Sequence, residues 1–270
     1  MRPVRQLFRA APAACAVTLA LLSAACSHVA PAPAPAAPVE LDHVWIVVSP
    51  DAPERAALET AGFHISPEIN RHVGQGTASL TVEFPNAFLE LLWPDAAVSV
   101  APGAERGVEK FRNRMNWRTT GWCPIGIGLR RTRPTNAPWP FATWSIAPGW
   151  LPPGASIEML TPRDDSTSPS LFISARDASF PPAADANDLT LRKDPADPVF
   201  HHPIGVKRLS SVRLLAPAEY RPIPPLTYLQ ERGVIGSGAA ERWLVELTFD
   251  GGARGESRDL RPELPLTIRY

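Results

Sequence analysis

The chain is 270 residues long and carries 27 basic and 27 acidic side chains, a formal net charge of zero. That balance supplies no electrostatic reason to expect nucleic acid or an acidic surface as a partner. Its 32 prolines, well above the usual share of about 5%, exclude long-helix bundles, coiled coils and repeat solenoids, because proline breaks helix interiors and cannot donate to a backbone ladder. What remains is a loop-rich fold of short strands and few helices.

In chain order, Arg2, Arg5 and Arg9 give a basic start to an apolar, alanine-rich run from Ala10 to Ala25. This run is too short for a membrane span and has the pattern of a secretory signal over residues 1–25. The stretch Leu22-Ser23-Ala24-Ala25-Cys26 resembles a bacterial lipoprotein signal, although Ser23 stands where a large aliphatic residue is usual. The resemblance implies lipidation of Cys26, while an ordinary signal peptide cleaved after a small residue is the alternative. Residues 26–40 are an Ala-Pro tether, too poor in large apolar groups to fold and stiffened towards polyproline II. With Cys15 in the leader and Cys26 at the lipid, only Cys123 remains in the body, so an intramolecular disulfide or a cysteine metal cluster is excluded there.

The body opens with a strand, Leu41 to Val48 (LDHVWIVV), rich in aliphatic and β-branched residues. Asp51 as N-cap with Glu54 three positions on predicts a capping box. The helix that follows carries Ala56, Ala57, Leu58 and Ala61 and stops at Gly62. Phe63 to Ile65 starts a second strand, Ala78 to Phe84 alternates as a third, and Ala87 to Trp93 (AFLELLW) forms a fourth. Val108 to Thr119 reads as a connecting helix. Pro124 to Arg130 (PIGIGLR), Ser156 to Leu160 and Leu171 to Ala175 read as strands, and Pro134, Pro138 and Pro140 forbid a regular helix among them. After a polar, proline-rich connection over residues 177–205 come a strand (Arg208 to Ala216), a short helix (Leu226 to Arg232), a strand (Trp243 to Phe249) and a closing strand (Leu266 to Tyr270).

The β-α-β-β-β order, with LDHVWIVV, a helix ending in Ala-Gly-Phe, then HVGQGTAS and AFLELL, resembles the glyoxalase-like branch of the vicinal oxygen chelate superfamily. The likeness is good over residues 41–94 and thinner afterwards. It implies an α+β fold in which paired βαβββ half-modules form a curved mixed sheet around a cavity. On that reading residues 41–176 hold two half-modules, the second degenerate. Residues 206–270 are a third, divergent half-module that either flanks the cavity or pairs with its counterpart in a homodimer.

The same resemblance places His43 and Glu90 where the superfamily holds metal ligands, and an imidazole with a carboxylate suits one divalent ion such as Zn, Mn or Fe. Strand alternation sets His43, Trp45 and Val47 on one face, and Glu90, Phe88 and Leu92 on one face. In the second half-module the matching positions fall near Pro124 or Ile125 and near Phe172 or Ile173, which supply no ligand. A third ligand has to come from His72, His201, His202 or Glu158. The loop from Arg71 to Thr77 resembles a His-x-x-x-Gly-Thr element of related sequences, which implies that His72, Gln75 and Thr77 touch substrate. A tight loop whose His72 caps backbone groups is the bland alternative. His201-His202-Pro203-Ile204-Gly205 resembles a His-Pro-Asn-Gly element, implying a cavity role for His202. Trp139, Trp144 and Trp150 suit either an apolar rim over a pocket or core packing.

Two function classes follow. The first is an enzyme of lyase or dioxygenase type in the cell envelope, anchored to a membrane through its N-terminal lipid, with Glu90 and His72 as catalytic groups. The second is a binding or sequestering protein that uses the same cavity for a small molecule without metal or turnover.

Overall fold

In the computed structural model, residues 38–132, 138–165, 167–175 and 197–270 are described. The signal segment, Cys26, most of the tether and most of the proline-rich connection lie outside these residues. Among the described residues no helix is long and apolar enough to cross a membrane.

The chain order is β1 (Val39–Val47), α1 (Arg55–Thr60), β2 (Asn70–His72), β3 (Thr77–Phe84), β4 (Ala87–Pro94), α2 (Glu105–Met115), α3 (Trp117–Thr120), β5 (Ile125–Arg131), β6 (Trp144–Ile146), β7 (Ile157–Met159) and β8 (Ser170–Ile173). These eight strands make one strongly curled half-barrel sheet in the order β2-β3-β4-β1-β5-β8-β7-β6. The two central strands, β1 and β5, run antiparallel. Each is flanked outward by a parallel neighbour, β4 on β1 and β8 on β5. Beyond these, β3 and β7 pair antiparallel, and β2 and β6 close the edges.

The second sheet is formed by β9 (Leu209–Ala216), β10 (Gly236–Ala239), β11 (Leu244–Phe249), β12 (Ser257–Asp259) and β13 (Leu266–Arg269), with α4 (Pro224–Glu231) between β9 and β10. Its order is β10-β9-β11-β13-β12. The wiring differs from that of the first unit. Here the strand after the helix, β10, lies parallel beside β9, whereas β2 lies at the sheet edge, separated from β1 by β3 and β4.

The main strands fall where the apolar pattern predicts them, but three local expectations change. Asp51 is not a helix cap: it and Ala52 sit at positive φ (62° and 48°), and Glu54 is the residue before the first helical turn. The Glu54 carboxylate instead accepts from the backbone N–H and hydroxyl of Ser49 at 3.0 and 2.7 Å, closing the turn after β1. Phe63 to Ile65 forms no strand. Phe63 packs into the core beside Phe84 and Phe249, and the second strand is Asn70–His72. The connecting helix is split at Asn116 into α2 and α3.

One face of the curled sheet contributes Val44, Ile46, Leu80, Val82, Leu89, Leu91, Ile127 and Leu129 to a core shared with Val212, Leu214, Leu247 and Ile268 of the second sheet. Full burial of each such side chain contributes on the order of 1.5–3 kcal/mol. Specific bonds fix the register of the two sheets. Asn86, in the β3–β4 turn, donates to the Leu209 carbonyl (2.8 Å) and accepts from the Leu209 N–H (3.1 Å). Gly62 stands at φ +90°, and a Cβ there would meet the Ile204 nitrogen at 2.9 Å, so the chain entering the second sheet can press against it only because that side chain is missing.

The opposite face carries a smaller cluster, Trp45, Val47, Leu92, Ile157 and Phe172, with Phe111 and Met115 of α2 packed on it. Helix α2 is held there by Arg114, 4% exposed, which donates to the carbonyls of Cys123 and Ser168. Because both faces of the sheet are covered, β3 and β4 are buried along their whole length. The second face is not filled, and its unfilled part is the cavity described next.

Candidate functional site

The cavity holds about 370 Å³, and its walls include His43, Trp45, His72, Phe88, Glu90 and Phe172. His43 comes from β1, His72 from β2 and Glu90 from β4, so these three groups all belong to the first half of the sheet. The Nε2 atom of His43 is 3.9 Å from Glu90 Oε2, and that of His72 is 3.8 Å from Glu90 Oε1. These separations are too long for hydrogen bonds. The Glu90 carboxylate, on a residue 8% exposed, therefore faces two imidazoles without bonding either.

Asp42 shapes the site through a backbone irregularity. Leu41 pairs with Leu129 and His43 with Gly128, so Asp42 is an extra residue in β1. A bulge of this kind re-aims its side chain, and both Asp42 and His43 line the cavity although neighbours in a regular strand point to opposite faces. Asp42 Oδ2 lies 2.7 Å from His43 Nδ1. A carboxylate can only accept there, so Nδ1 carries a proton, and in the neutral imidazole the lone pair is then on Nε2, on the cavity side. Arg130 stands behind, with Nη1 3.6 Å from Asp42 Oδ1 and Nε bonded to Glu40 at 2.7 Å.

The His43 ring is clamped on three sides. Phe88 stacks on it at 4.3 Å, Phe172 meets it edge-on at 5.3 Å, and Gly128 of β5 lies directly beneath. A Cβ on Gly128 would come within 2.4 Å of His43 Cε1. Gly126 does the same for Trp45, at 2.0 Å from the indole. The alternate glycines of Ile-Gly-Ile-Gly thus serve as the floor on which the large β1 side chains lie.

His72 is positioned by Thr77, whose Oγ1 is 3.0 Å from His72 Nδ1. Burial pushes its pKa below the ordinary value; Glu90 opposes that shift and His43 adds to it. Trp150 leans on the His72 ring at 5.5 Å and donates its indole N–H to Gln75 Oε1 at 3.3 Å. Trp150 is 40% exposed, with Val73 (56%) and Val100 (39%) also exposed. The chain near them is tied together, since Gly74 donates to the Ser99 carbonyl and Ala101 to that of Gly74.

The structure thus brings together His43, His72, Gln75 and Glu90, with Thr77 one bond behind. It does not bring His202 to them. His202 is buried at 6% exposure beside Phe84 and Phe63, among residues of the shared core. Its Nδ1 accepts from the His64 N–H at 3.1 Å, and its Nε2 lies 3.0 Å from the Glu83 carbonyl. Both nitrogens are used in joining the chain after α1 to β3, and His202 does not line this cavity. Glu158 is likewise committed elsewhere, to Arg131, Trp139 and Thr143. Of the three tryptophans, Trp150 sits at the cavity, Trp139 packs with Phe141 and Tyr228, and Trp144 lies under Arg163.

Asp42 is the site residue that sequence reasoning passed over, together with Phe88, Phe111 and Phe172 as walls. Alternation along β4 was the signal for Phe88, two residues from Glu90 on the same face, while the glycine pair in β5 announces Trp45 and His43, the bulky side chains above it. The bulge at Asp42 left no such mark. Comparisons with known protein families, with curated proteins and with solved structures find no match for this chain.

Proposed function

We propose that this is an envelope-anchored, glyoxalase-like protein whose cavity binds a small molecule, the polar part at His43, Glu90 and His72 and the apolar part against the aromatic walls. The observation that carries the reading is the buried Glu90 carboxylate that faces an open cavity and makes no hydrogen bond within the described residues. A group in that state is costly unless something enters to bond it. The mirror-like strand order about β1 and β5 supports the paired half-module reading, and the tether reading of residues 26–40 supplies the anchor. Incorporation of labelled fatty acid into the full chain, abolished by Cys26→Ser, tests the anchor.

A second reading places a divalent ion between His43 and Glu90, with His72 as third donor. Its support is the Asp42–His43 bond, since metal-ligating histidines commonly donate their other nitrogen to a carboxylate. The spacing argues against it. Two donors each ~2.1 Å from one ion and set at tetrahedral or octahedral angles stand ~3.0–3.4 Å apart, whereas His43 Nε2 and Glu90 Oε2 are 3.9 Å apart. Among the described residues the other half of the sheet lines the cavity with Ile157, Phe172, Ser174 and Ala175, none of them a His, Cys, Asp or Glu. Among the described residues no group of three or more His, Cys, Asp or Glu stands ready to hold a metal. The residues as arranged do not fit the ion, and metal-free binding is the leading reading.

Both readings meet in one experiment. The purified full chain and its His43→Ala/Glu90→Ala variant are compared by elemental analysis and by a thermal-shift screen of small molecules below about 300 Da, a size class suited to a pocket at the small end of the ligand-site range. Wild type without stoichiometric metal, stabilised by compounds that leave the variant unmoved, is the expected result. Stoichiometric metal in the wild type alone transfers the case to the second reading. Compounds that stabilise both proteins equally, or none that stabilise either, defeat the cavity-ligand reading.

A further inference from the structure

At the polar end of the cavity the donor-bearing side chains of the lining, Asn70, Gln75 and Thr81 among them, make no hydrogen bond to Glu90 among the described residues. Glu90 presents two carboxylate oxygens with no hydrogen bond among the described residues. His43, its Nδ1 proton committed to Asp42, in its neutral form turns the Nε2 lone pair to the space beside them. Arg71 also lines the cavity, but it is an exposed residue and forms no ion pair with Glu90 among the described residues. Among the described residues no lysine or arginine pairs with the buried carboxylate, whose basic neighbours are the imidazoles of His43 and His72.

From this we infer that the cavity selects ligands carrying a primary ammonium group on an apolar, preferably aromatic, body. The inference rests on the small-molecule reading above and names the chemistry of its ligand. An ammonium has three hydrogens and no acceptor, the complement of Glu90 together with His43. A nitrogen about 2.8 Å from each of two acceptors, the distance usual for charge-assisted bonds, sees acceptors 3.9 Å apart at an angle of roughly 90°. That is near the ~109° spread of ammonium hydrogens, and the same separation is too wide for a metal ion. His72 Nε2, 3.8 Å from the other carboxylate oxygen, provides a third contact when the Thr77 hydroxyl accepts from its Nδ1. The walls suit the rest of such a molecule. Phe88, Phe172 and Trp45 surround the polar end, and aromatic faces attract a cation. Phe111 extends this apolar lining, and Trp150 adds a further aromatic face beside His72.

The test uses the full chain and three probes of nearly equal shape: 2-phenylethylamine, 2-phenylethanol and phenylacetate. Affinities are read by quenching of tryptophan fluorescence and by calorimetry, for the wild type and for Glu90→Gln. The Gln side chain keeps the size and removes the charge, and circular dichroism with a melting curve verifies its fold. The amine should bind about tenfold or more tighter than the alcohol, the worth of a charge-assisted bond, and Glu90→Gln should remove that preference while the alcohol changes little. Trp150→Leu should weaken all probes that bind, without changing their ranking. Equal affinity for amine and alcohol overturns the inference but leaves the cavity reading intact, and so does preference for phenylacetate, which would hand the site to Arg71. If none of the three binds while the wider screen finds other ligands, the ammonium inference alone fails. If the screen also finds none, both fail.

Discussion

Substituting Gly128 by alanine probes whether β5 is the floor of the site. Gly128 is an ordinary strand residue without positive φ, so the backbone accepts alanine, and the loss of chain entropy in the unfolded state alone would stabilise by about 0.4–1 kcal/mol. The side chain has nowhere to go. Its Cβ would lie 2.4 Å from Cε1, 2.6 Å from Nδ1 and 2.9 Å from Nε2 of His43. That ring cannot slide aside cheaply, because Phe88 covers its face, Phe172 its edge, and Asp42 holds Nδ1 at 2.7 Å. Overpacking of this kind costs about 1–3 kcal/mol, and breaking a hydrogen bond to a charged group adds about 1.5–3 kcal/mol. The net after the entropy gain is a loss of roughly 1.5–5.5 kcal/mol, a fall in Tm of about 3–20 °C for a domain of this size. Gly107 in α2 is the control: it has open space around it and an unstrained φ, so Gly107→Ala should raise stability by up to about 1 kcal/mol. Calorimetric melting of the full-length wild type and the two variants decides the matter. A Gly128→Ala protein that melts within about 1 °C of the wild type would show that His43 does not rest on β5, and the clamped-imidazole argument would fall with it.

Two further outcomes follow from buried groups. Desolvation by burial holds the pKa of His202 below its ordinary value of 6.5, with the Glu83 carbonyl opposing the shift, and Nδ1 stays unprotonated to accept from the His64 N–H. The unfolded chain then binds more protons between the lowered value and 6.5, so this contribution is complete above about pH 6.5 and drains away as the pH falls. Chemical denaturation from pH 7.5 to 5 should show that decline. His202→Phe should make it shallower, with buried His72 supplying part of what remains, while costing about 2–4 kcal/mol at pH 7.5, since an N–H and a carbonyl lose their partners; an unchanged slope would refute the assignment. Cys123 is fully buried and burial pushes its thiol up to about 12. Peptide mapping after iodoacetamide at pH 8 should therefore find it unmodified in the folded protein and modified in denaturant, and rapid labelling of the native chain would contradict this.

How far the sequence carried the reading differs by element. The strands beginning at Val39, Thr77, Ala87 and Ile125 lie within about two residues of their expected bounds, because long apolar segments between turns leave the backbone little choice. The strands it missed are short edge pieces. Gly236–Ala239 contains no large side chain at all, so it has no apolar alternation to detect and exists through its ladder with β9. His43, His72 and Glu90 were legible as candidates through residue type and resemblance. Their convergence was not, because it depends on β2 returning to the sheet edge, and that return is a matter of pairing over distance. Asp42 stayed hidden because alternation assigns it to the face opposite His43, and a bulge overrode the alternation. His202 misled for the converse reason: its motif places it close to the first unit, but on the core side, where its two nitrogens answer backbone needs.

The unequal support of the two histidines gives the cavity one rigid wall and one yielding one. His43 and Glu90 stand on β1 and β4, each strand laddered on both sides. His72 ends a strand of three residues, Asn70–His72, bonded on one side only. Short edge strands open locally far more often than a protein unfolds as a whole. A molecule lodged between the two would pin the loose wall against the firm one, so occupancy should be written in the hydrogen exchange of residues 70–72, slowed while β1 and β4 keep their pace.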